Sequence, residues 1–290
     1  MLRQRFERLA NGLLGRLGYE MTPLGTFPSD AFLGGAPPDA AFFPVPQTDA
    51  AAVRALLGRL APVSTAHGLI RLGPDGDGGY LVPDDLDGVE ACFSPGVDEV
   101  SGFEKDCADR GMEVFLADKS VRQPAEAHER FHFTRRYVGA FTDEDYMTLD
   151  GWVASSLPGS HGDLVLQIDI EGYEYETLLA TSEDLMRRFR VIVAEFHNLH
   201  LLWSRDYFAV VSRAFEKVLQ THTSVHVHPN NCCGTLTHGG VTVPRVAELT
   251  FLRSDRVRDP APATAFPHPL DRDNTTYPHV ALPESWYRRA

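Results

Sequence analysis

The sequence has little positive charge and no long apolar run. Its 290 residues include 27 lysines and arginines against 40 aspartates and glutamates, which gives a formal net charge of −13 at pH 7. Non-specific binding to nucleic acid needs clustered Lys and Arg side chains that neutralise phosphates, so this balance argues against a nucleic-acid partner. No stretch reaches the roughly 18 consecutive apolar residues typical of a transmembrane helix, and arginines interrupt the only candidate for a signal-peptide core. We therefore expect a cytoplasmic protein without a transmembrane segment.

Cysteine is scarce, and one common cofactor signature is missing. Cys92, Cys107, Cys232 and Cys233 form no C-x-x-C pair, so we expect reduced thiols and no zinc framework among them. A complete G-x-G-x-x-G is also absent, which does not favour a nicotinamide dinucleotide site.

The sequence divides into three segments. Residues 1–62 are expected to form an N-terminal arm and residues 63–254 the main domain. Residues 255–290 contain six prolines and are expected to be a peripheral wrap or a partly disordered tail. Within the arm, apolar residues at helical spacing among arginines predict a basic amphipathic helix over 1–18. That helix would pack on the main domain, join a second subunit in a homo-oligomer, or contact a membrane surface.

The rest of the arm is expected to be irregular until one further helix. Residues 19–48 are rich in proline and glycine and predict neither strand nor helix. Asp49 is then expected to cap a helix whose apolar stripe stops before Pro62. The stripe consists of Val53, Leu56, Leu57 and Leu60.

The main domain alternates strands with helices, which predicts an α/β fold with a parallel, doubly wound sheet. Helices are expected at 102–110, 148–156, from 173, and at 207–220. The last two strands follow each other without a helix and could end the sheet as a hairpin. Strands are expected at 80–82, 90–94, 114–117, 135–138, 164–168, 191–196, 224–228 and 247–253.

The segment from residue 89 to 118 has the parts of a nucleotide-binding loop. A short apolar strand stops at Pro95-Gly96, where glycine allows a tight turn close to a ligand. Ser101 and Glu104 have capping-box spacing, so a helix N-terminus there could face an anionic group. Asp118 ends the second strand, where an acid can accept both hydroxyls of a ribose.

Polar side chains also end the later strands. Asp169 follows the strand at 164–168, and Glu195 and His197 lie at the end of the strand at 191–196. Burying such groups without partners is costly, which makes them better site candidates than surface acids. The next strand ends in a similar group of polar residues, His226, His228, Asn230 and Asn231.

Several of these segments resemble one methyltransferase family. The stretches DIEGYE, EFHNLH, DGGYLV and SPGVD, with VHVHPNN followed by VPRVAELTFL, are similar to the FkbM-type S-adenosylmethionine-dependent methyltransferases, and more closely to their methyltransferase-like 24 branch. The resemblance covers about residues 71–253, although SPG departs from the more usual D-x-G-A-x-x-G. It implies a Rossmann-like sheet of seven strands with helices on both faces. It also implies O-methylation of a sugar hydroxyl, on a glycan or a glycosylated natural product.

S-adenosylmethionine has an amino-acid end, an adenosine and a sulfonium cation, and the sequence offers residues for each. Gly96 and the helix after it would hold the methionine end, Asp118 the ribose, and Ala140 with Phe141 and Asp143 the adenine. Tyr80 could face the sulfonium by cation–π attraction. The full set of expected cofactor residues is Tyr80, Ser94, Pro95, Gly96, Asp98, Glu104, Asp118, Lys119, Ala140, Phe141 and Asp143.

Methyl transfer needs an acceptor oxygen that is close, aligned and partly deprotonated. His197 is the first choice as general base, because histidine titrates near neutrality; Asp169 is the alternative. A divalent metal such as Mg²⁺ could instead lower the pKa of the acceptor hydroxyl, held by Asp169 and Glu195 with His228. His226, Asn230 and Asn231 are expected to contact the sugar.

Three other functions remain open from the sequence. A metal-dependent hydrolase or lyase could use His197, His228, Asp169 and Glu195. A nicotinamide oxidoreductase is a second alternative, and a non-catalytic Rossmann module that binds a partner protein is a third.

Overall fold

The computed structural model describes residues 19–23, 42–97 and 100–288. The helix predicted over 1–18 and the predicted cofactor residue Asp98 lie outside these ranges. Between residues 19 and 48 the prediction of irregular structure is wrong in part, because strand β1 (Tyr19–Pro23) pairs antiparallel with β2 (Phe42–Pro46). Prolines are compatible with this ribbon, since a two-stranded sheet has edge positions that need no N–H donor.

The main domain contains the expected alternation of strands and helices. The strands after β2 in the described ranges are β3 (Val63–Ser64), β4 (Leu69–Leu72), β5 (Tyr80–Pro83), β6 (Ala91–Pro95), β7 (Glu113–Ala117), β8 (Phe131–Thr134), β9 (Tyr137–Val138), β10 (Tyr146–Met147), β11 (Leu164–Ile168), β12 (Phe189–Phe196), β13 (His222–Pro229), β14 (Thr235–His238), β15 (Val241–Pro244), β16 (Ala247–Arg253) and β17 (Ala261–Pro262). The α-helices there are α1 (Ala50–Leu60), α2 (Gly102–Asp109), α3 (Leu149–Ser156), α4 (Glu174–Ala180), α5 (Glu183–Met186) and α6 (Arg205–Leu219).

Seven strands form the central sheet, in the order β13-β16-β12-β11-β6-β7-β8. The neighbours from β12 to β8 are parallel, whereas β16 is antiparallel to both β12 and β13. The chain moves outward from β6 to β8 and then returns to place β11 beside β6. This confirms the predicted Rossmann-like, mostly parallel sheet. Ligands bind such sheets at the carboxyl ends of the strands where the order reverses, which here are β6 and β11.

The central strands β6, β7 and β11 contribute alternate residues to two hydrophobic cores. In β6, Phe93 belongs to the core on one face and Cys92 to the core on the other. The Phe93 core is covered by α1 and α3 to α6, and the Cys92 core by α2 with the β4–β5 hairpin. Helices therefore cover both faces, as predicted.

One prediction inside the sheet needs correction. The third parallel strand is β8 at 131–134, not the segment at 135–138, because Tyr137–Val138 pairs with β10 in a separate ribbon. The last two sheet strands, β13 and β16, do pair antiparallel at the end of the sheet as expected, with the hairpin of β14 and β15 inserted in their connection.

The cysteine prediction is wrong for one pair. Cys92 and Cys107 are buried free thiols as expected, but Cys232 and Cys233 form a disulfide with each other. The two residues are adjacent in the turn after β13.

The segments flanking the main domain pack against it. The stripe predicted for α1 is confirmed, because all four of its apolar residues are buried and Asp49 caps the helix. At the other end, Leu282 and Trp286 enter the same core as α1. The C-terminal segment is therefore a wrap with core anchors. None of the helices in the described part of the chain has the length and apolar character needed to cross a bilayer.

Candidate functional site

A cavity with two compartments opens at the carboxyl ends of β6, β7 and β11. The larger compartment has a volume of about 530 Å³, within the range of small-molecule sites, and the smaller has a volume of about 200 Å³. They share Asp77, Gly96, Val97 and Asp169. The larger is otherwise lined by Ala117, Asp118, Ser120, Tyr137, Val138, Tyr146, Ile170, Glu171 and Tyr173, and the smaller by Gly78, Tyr80, Val100, Glu104 and Gln167.

The lining of this cavity is acidic. Its carboxyl groups belong to Asp77, Glu104, Asp118, Asp169 and Glu171, and Lys, Arg and His are absent from the described residues that line it. Such a site attracts cations and repels phosphates.

Gly96 allows the backbone to turn between the two compartments. Its φ of 95° lies in the left-handed region, and a Cβ there would come 1.5 Å from the carbonyl oxygen of Asp169. The Gly96 N–H donates to the Ala117 carbonyl at 3.0 Å. Glycine at this position thus allows the expected tight turn, in which the ends of β6, β7 and β11 approach one another closely.

Asp118 lies at the end of β7 and lines the larger compartment. Its Oδ1 accepts hydrogen bonds from the N–H and hydroxyl of Ser120, both at 2.6 Å. Oδ2 has no hydrogen-bond partner among the described residues. One face of the carboxylate is therefore fixed and the other is free for a ligand.

Aromatic rings form the wall next to Asp118. Tyr137, Tyr146 and Tyr173 line the larger compartment, and Phe141 packs on Tyr146 with ring centroids 5.2 Å apart. The three tyrosines were not predicted, although Tyr137 and Tyr146 flank the predicted adenine segment and Tyr173 lies in DIEGYE. The predicted Asp143 acts indirectly, since its Oδ1 accepts from the N–H of Tyr146 at 2.8 Å.

Ser94, Glu104 and Gln167 form a polar chain behind the smaller compartment. The Ser94 hydroxyl lies 2.5 Å from Glu104 Oε1 and 2.6 Å from Gln167 Oε1. Because a hydroxyl has one proton, it can donate to only one of them. Burial raises the pKa of Glu104, and a protonated Glu104 can donate to Ser94, which then donates to Gln167.

The capping box predicted at the start of α2 does not form. The Ser101 side chain makes no capping hydrogen bond, and its buried hydroxyl has no partner among the described residues. Glu104 faces Ser94 instead, because the sheet end offers it a buried partner. Gly102 packs against Pro74, and Glu104 is the residue of α2 that lines the cavity.

The remaining predicted cofactor residues lie at different distances from the cavity. Tyr80 lines the smaller compartment and packs edge-on against Phe103. Pro95 is buried at the end of β6, where its carbonyl accepts from the Asp169 N–H at 3.3 Å. Lys119 is paired with Asp145; neither it nor Ala140 lines the cavity.

A cluster of carboxylates surrounds His197 at the ends of β11 and β12. His197 Nε2 lies 3.5 Å from Glu171 Oε2, 3.8 Å from Glu195 Oε1 and 3.9 Å from Asp169 Oδ1. On the other side of the ring, Nδ1 is 3.1 Å from Glu174 Oε1. That oxygen also accepts from the N–H groups of Ile170 and Gly172, so Glu174 holds both the imidazole and the loop after β11.

The excess of negative charge sets the ionisation of the cluster. Burial opposes charging of His197, but its hydrogen bond to Glu174 and the nearby carboxylates raise the pKa of the ring to about 10. Burial raises the pKa of Asp169 to about 7, against the lowering effect of His197. A carboxyl group near neutrality can take a proton from a ligand in the cavity.

The predicted residues of β13 do not converge on this cluster. His226 Nε2 is 2.8 Å from Asp271 Oδ1, and His228 Nε2 is 2.9 Å from the Arg272 carbonyl oxygen. Asn231 donates to the carbonyls of Thr275 and Tyr277. These side chains hold the C-terminal segment. Only Asn230 reaches the cluster, where it donates to Glu195 Oε1 at 2.9 Å.

Four acidic or polar residues of the site were not predicted. Glu171 and Glu174 belong to DIEGYE, so a signal existed, but their positions after the strand did not show which way they face. Asp77 lies in a Gly- and Asp-rich loop that turn chemistry alone could explain. Gln167 lies within a buried strand, where a lone polar residue is itself a signal.

Comparison with known proteins gives structural similarity only. No family model matches the sequence, and no curated protein matches it. The N-methyltransferase NodS from Bradyrhizobium japonicum is 9% identical with a TM-score of 0.30, over 69% of this chain and 93% of NodS. A proposed O-methyltransferase from Klebsiella pneumoniae is 9% identical with a TM-score of 0.31, over 88% of this chain and 100% of its own. Similarity at this level transfers neither a reaction nor a residue role to this chain.

Proposed function

We propose that this protein is an S-adenosylmethionine-dependent methyltransferase that methylates a hydroxyl group. The observation that carries the proposal is the acidic cavity at the switch point of the sheet, with Asp118 at the end of β7 and one carboxylate oxygen free. This arrangement suits a nucleoside with a net positive charge on the group attached to its ribose.

The charge of the lining favours this cofactor over a dinucleotide. S-adenosylmethionine has a sulfonium, an ammonium and a carboxylate, so its net charge is positive, whereas NAD has a pyrophosphate. A pyrophosphate needs a glycine-rich loop, a helix N-terminus or basic side chains. The lining supplies carboxylates and no basic side chain among the described residues, so the oxidoreductase alternative has little support.

Each part of the cofactor has a matching group in the cavity. Asp118 would accept the ribose hydroxyls, and the rings of Tyr137 and Tyr146 would cover the adenine. Gly96 leaves room for the chain between ribose and methionine, and Asp77 lies where the two compartments meet, suited to an ammonium. The cofactor, when bound, supplies a methyl group on a sulfonium cation.

The acceptor would enter beside Asp169 and Glu171. Asp169 lines both compartments, and His197 stands behind it, oriented by Glu174. Asp169 is therefore the better-placed group to take the proton of the hydroxyl, and His197 supports it. A sugar hydroxyl as the acceptor follows from the resemblance to FkbM-type enzymes and is part of the proposal.

The metal ligands expected from the sequence do not form one site. His228 faces Asp271 and Arg272, while Asp169 and Glu195 face His197. Among the described residues, the side chains of Asp169, Glu171 and His197 lie close enough together to hold one metal ion. This set also gives the metal-dependent hydrolase or lyase its remaining support.

Calorimetric titration with S-adenosylhomocysteine tests the cofactor assignment. We expect the wild type to bind with micromolar affinity. The affinity of Asp118→Ala should be lower by at least about tenfold, because a charged hydrogen-bond acceptor is lost. Glu126→Ala is the matched control, since Glu126 is an exposed acid after β7 that does not line the cavity. NADH in a parallel titration should produce no heat of binding.

The titration also decides between functions. If the wild type binds no S-adenosylhomocysteine, the methyltransferase proposal is wrong. If Asp118→Ala binds like the wild type, the assignment of the ribose contact is wrong. Once binding is established, methyl transfer from the labelled cofactor to a panel of neutral sugar glycosides tests the acceptor class.

A further inference from the structure

The atoms around His197 Nε2 are spaced like ligands of one cation. Oxygens of Glu171, Glu195 and Asp169 lie 3.5, 3.8 and 3.9 Å from this nitrogen, beyond normal hydrogen-bond lengths. Neighbouring ligands of one divalent ion are about 3 to 3.5 Å apart, given metal–ligand distances near 2.1 to 2.4 Å. Glu171 Oε2 is already at this spacing, and the oxygens of Glu195 and Asp169 are only a few tenths of an ångström beyond it.

His197 gives a second reason, independent of the acids, to expect a ligand. Its side chain is only 6% exposed, yet Nε2 makes no hydrogen bond to any described residue. The other ring nitrogen is hydrogen-bonded to Glu174, which is itself fully buried. Metal-binding histidines use this arrangement, in which a carboxylate fixes the ring and the opposite nitrogen faces the ion.

The charge of the cluster also calls for a cation. Four carboxylates surround one imidazole, and Asp169 Oδ1 is buried without a hydrogen-bond partner among the described residues. A buried carboxylate oxygen without a partner is costly, and a divalent ion would bind it and offset the repulsion among the four acids.

We propose that Asp169, Glu171 and His197 bind a divalent cation of the Mg²⁺ or Mn²⁺ class at the acceptor side of the cavity. The two carboxylates favour such oxygen-preferring ions, and Glu195 is close enough to contribute a further oxygen. His197 would release its Nε2 proton to solvent when the ion binds. Asp169 and Glu171 line the cavity, so the ion would keep positions open for a ligand. The cation site itself is independent of the methyltransferase proposal. The role of the ion in methyl transfer rests on that proposal: a bound cation would lower the pKa of the acceptor hydroxyl that it coordinates.

Binding of Mn²⁺ to the full chain tests the site directly. The paramagnetic resonance signal of free Mn²⁺ falls when the ion binds, so a titration gives affinity and stoichiometry without any assay of activity. We expect one ion per chain, and an affinity lower by at least about tenfold in Glu171→Gln. Mg²⁺ should displace the bound Mn²⁺. Glu176→Gln is the control, because Glu176 lies on the exposed face of α4 and undergoes the same change of charge.

The outcomes separate this proposal from the cofactor assignment. Equal Mn²⁺ affinity in wild type and Glu171→Gln, or no binding by the wild type, overturns the cation site. Because Glu171 is exposed, its substitution should not unfold the protein, and a melting curve verifies this. S-adenosylhomocysteine is titrated into the same samples. If the protein binds S-adenosylhomocysteine but does not bind Mn²⁺, only the cation site is refuted. If the protein binds Mn²⁺ but does not bind S-adenosylhomocysteine, only the proposed methyltransferase function is refuted.

Discussion

At the scale of single residues, Gly96 shows how one backbone position shapes the cavity. Its φ of 95° is nearly the same as the 92° of Gly111 at the end of α2. The two glycines differ in their surroundings, since a Cβ at Gly96 would collide with the Asp169 backbone, whereas a Cβ at Gly111 would meet nothing within 4 Å. The pair therefore separates the cost of the backbone conformation from the cost of the contact.

Substitution of both glycines by alanine should have unequal effects. We expect Gly111→Ala to lower the free energy of unfolding by about 1 kcal/mol, the cost of a left-handed alanine. Gly96→Ala should lower it by about 3 kcal/mol, because overpacking adds to that cost, and it should also weaken S-adenosylhomocysteine binding. Urea denaturation monitored by circular dichroism measures both. Equal losses of stability would mean that the close approach of Gly96 to Asp169 is not rigid.

At the scale of secondary-structure elements, the helix caps can be compared in the same way. Asp49 at the start of α1 accepts a hydrogen bond from the Ala51 N–H at 2.8 Å. Ser204 occupies the equivalent position of α6, but its side chain makes no capping hydrogen bond. Both residue types are favoured caps, so the sequence alone does not distinguish them.

Removal of the two caps should therefore differ. We expect Asp49→Ala to lower the free energy of unfolding by about 1 kcal/mol, and Ser204→Ala to change it by less than about 0.5 kcal/mol. Thermal or urea denaturation of both variants measures the difference. A comparable loss in Ser204→Ala would show that its hydroxyl caps α6 in solution after all.

The strands and the loop after β11 differ in how well the sequence predicts them. Strand β11 is predicted with its observed bounds because its residues are nearly all apolar and Asp169 follows them. Strand β16 is also predicted with its observed bounds, although Glu248 and Thr250 interrupt its apolar residues. The edge strand β8 was misplaced, since exposed edges lack that pattern. The DIEGYE segment located the site, but the inward direction of Glu174 depends on the loop conformation, in which Glu171 and Gly172 adopt positive φ. Such a turn reverses the chain in a way that residue spacing does not reveal.

At the scale of the whole molecule, the C-terminal segment is fastened to the sheet by a buried polar group. Asp271 contacts His226 Nε2 at 2.8 Å and His228 Nδ1 at 3.6 Å, both on β13. From the other elements packed here, Glu248 of β16 faces His228 and Arg71 faces Glu248, while the ring of His268 lies against His226. The sequence could not assign these histidines, because their partner is more than forty positions away along the chain.

The stability contributed by this contact should depend on pH. Burial alone would raise the pKa of Asp271, but hydrogen bonds with His226 and His228 lower it well below its usual range. Its contribution is therefore present above the unfolded pKa of about 3.9 and is lost as the pH falls further. Burial would lower the pKa of His228, but Asp271 raises it. The contribution of protonated His228 to stability is complete below its unfolded pKa of about 6.5. It is lost as the pH rises through the pKa of His228 in the folded protein.

Substitution of Asp271 by asparagine should thus destabilise the protein most between about pH 4 and pH 6.5. In that window we expect a loss of about 3 kcal/mol, because two buried imidazoles lose their carboxylate partner. Asp273→Asn is the control: Asp273 pairs with His279 at the surface, where such pairs contribute little. Urea denaturation of wild type and both variants from pH 3 to pH 9 measures the difference. A loss that stays constant across this range would show that Asp271 acts through shape and not through charge. A loss confined to the window would show that electrostatic attraction holds the C-terminal segment on β13.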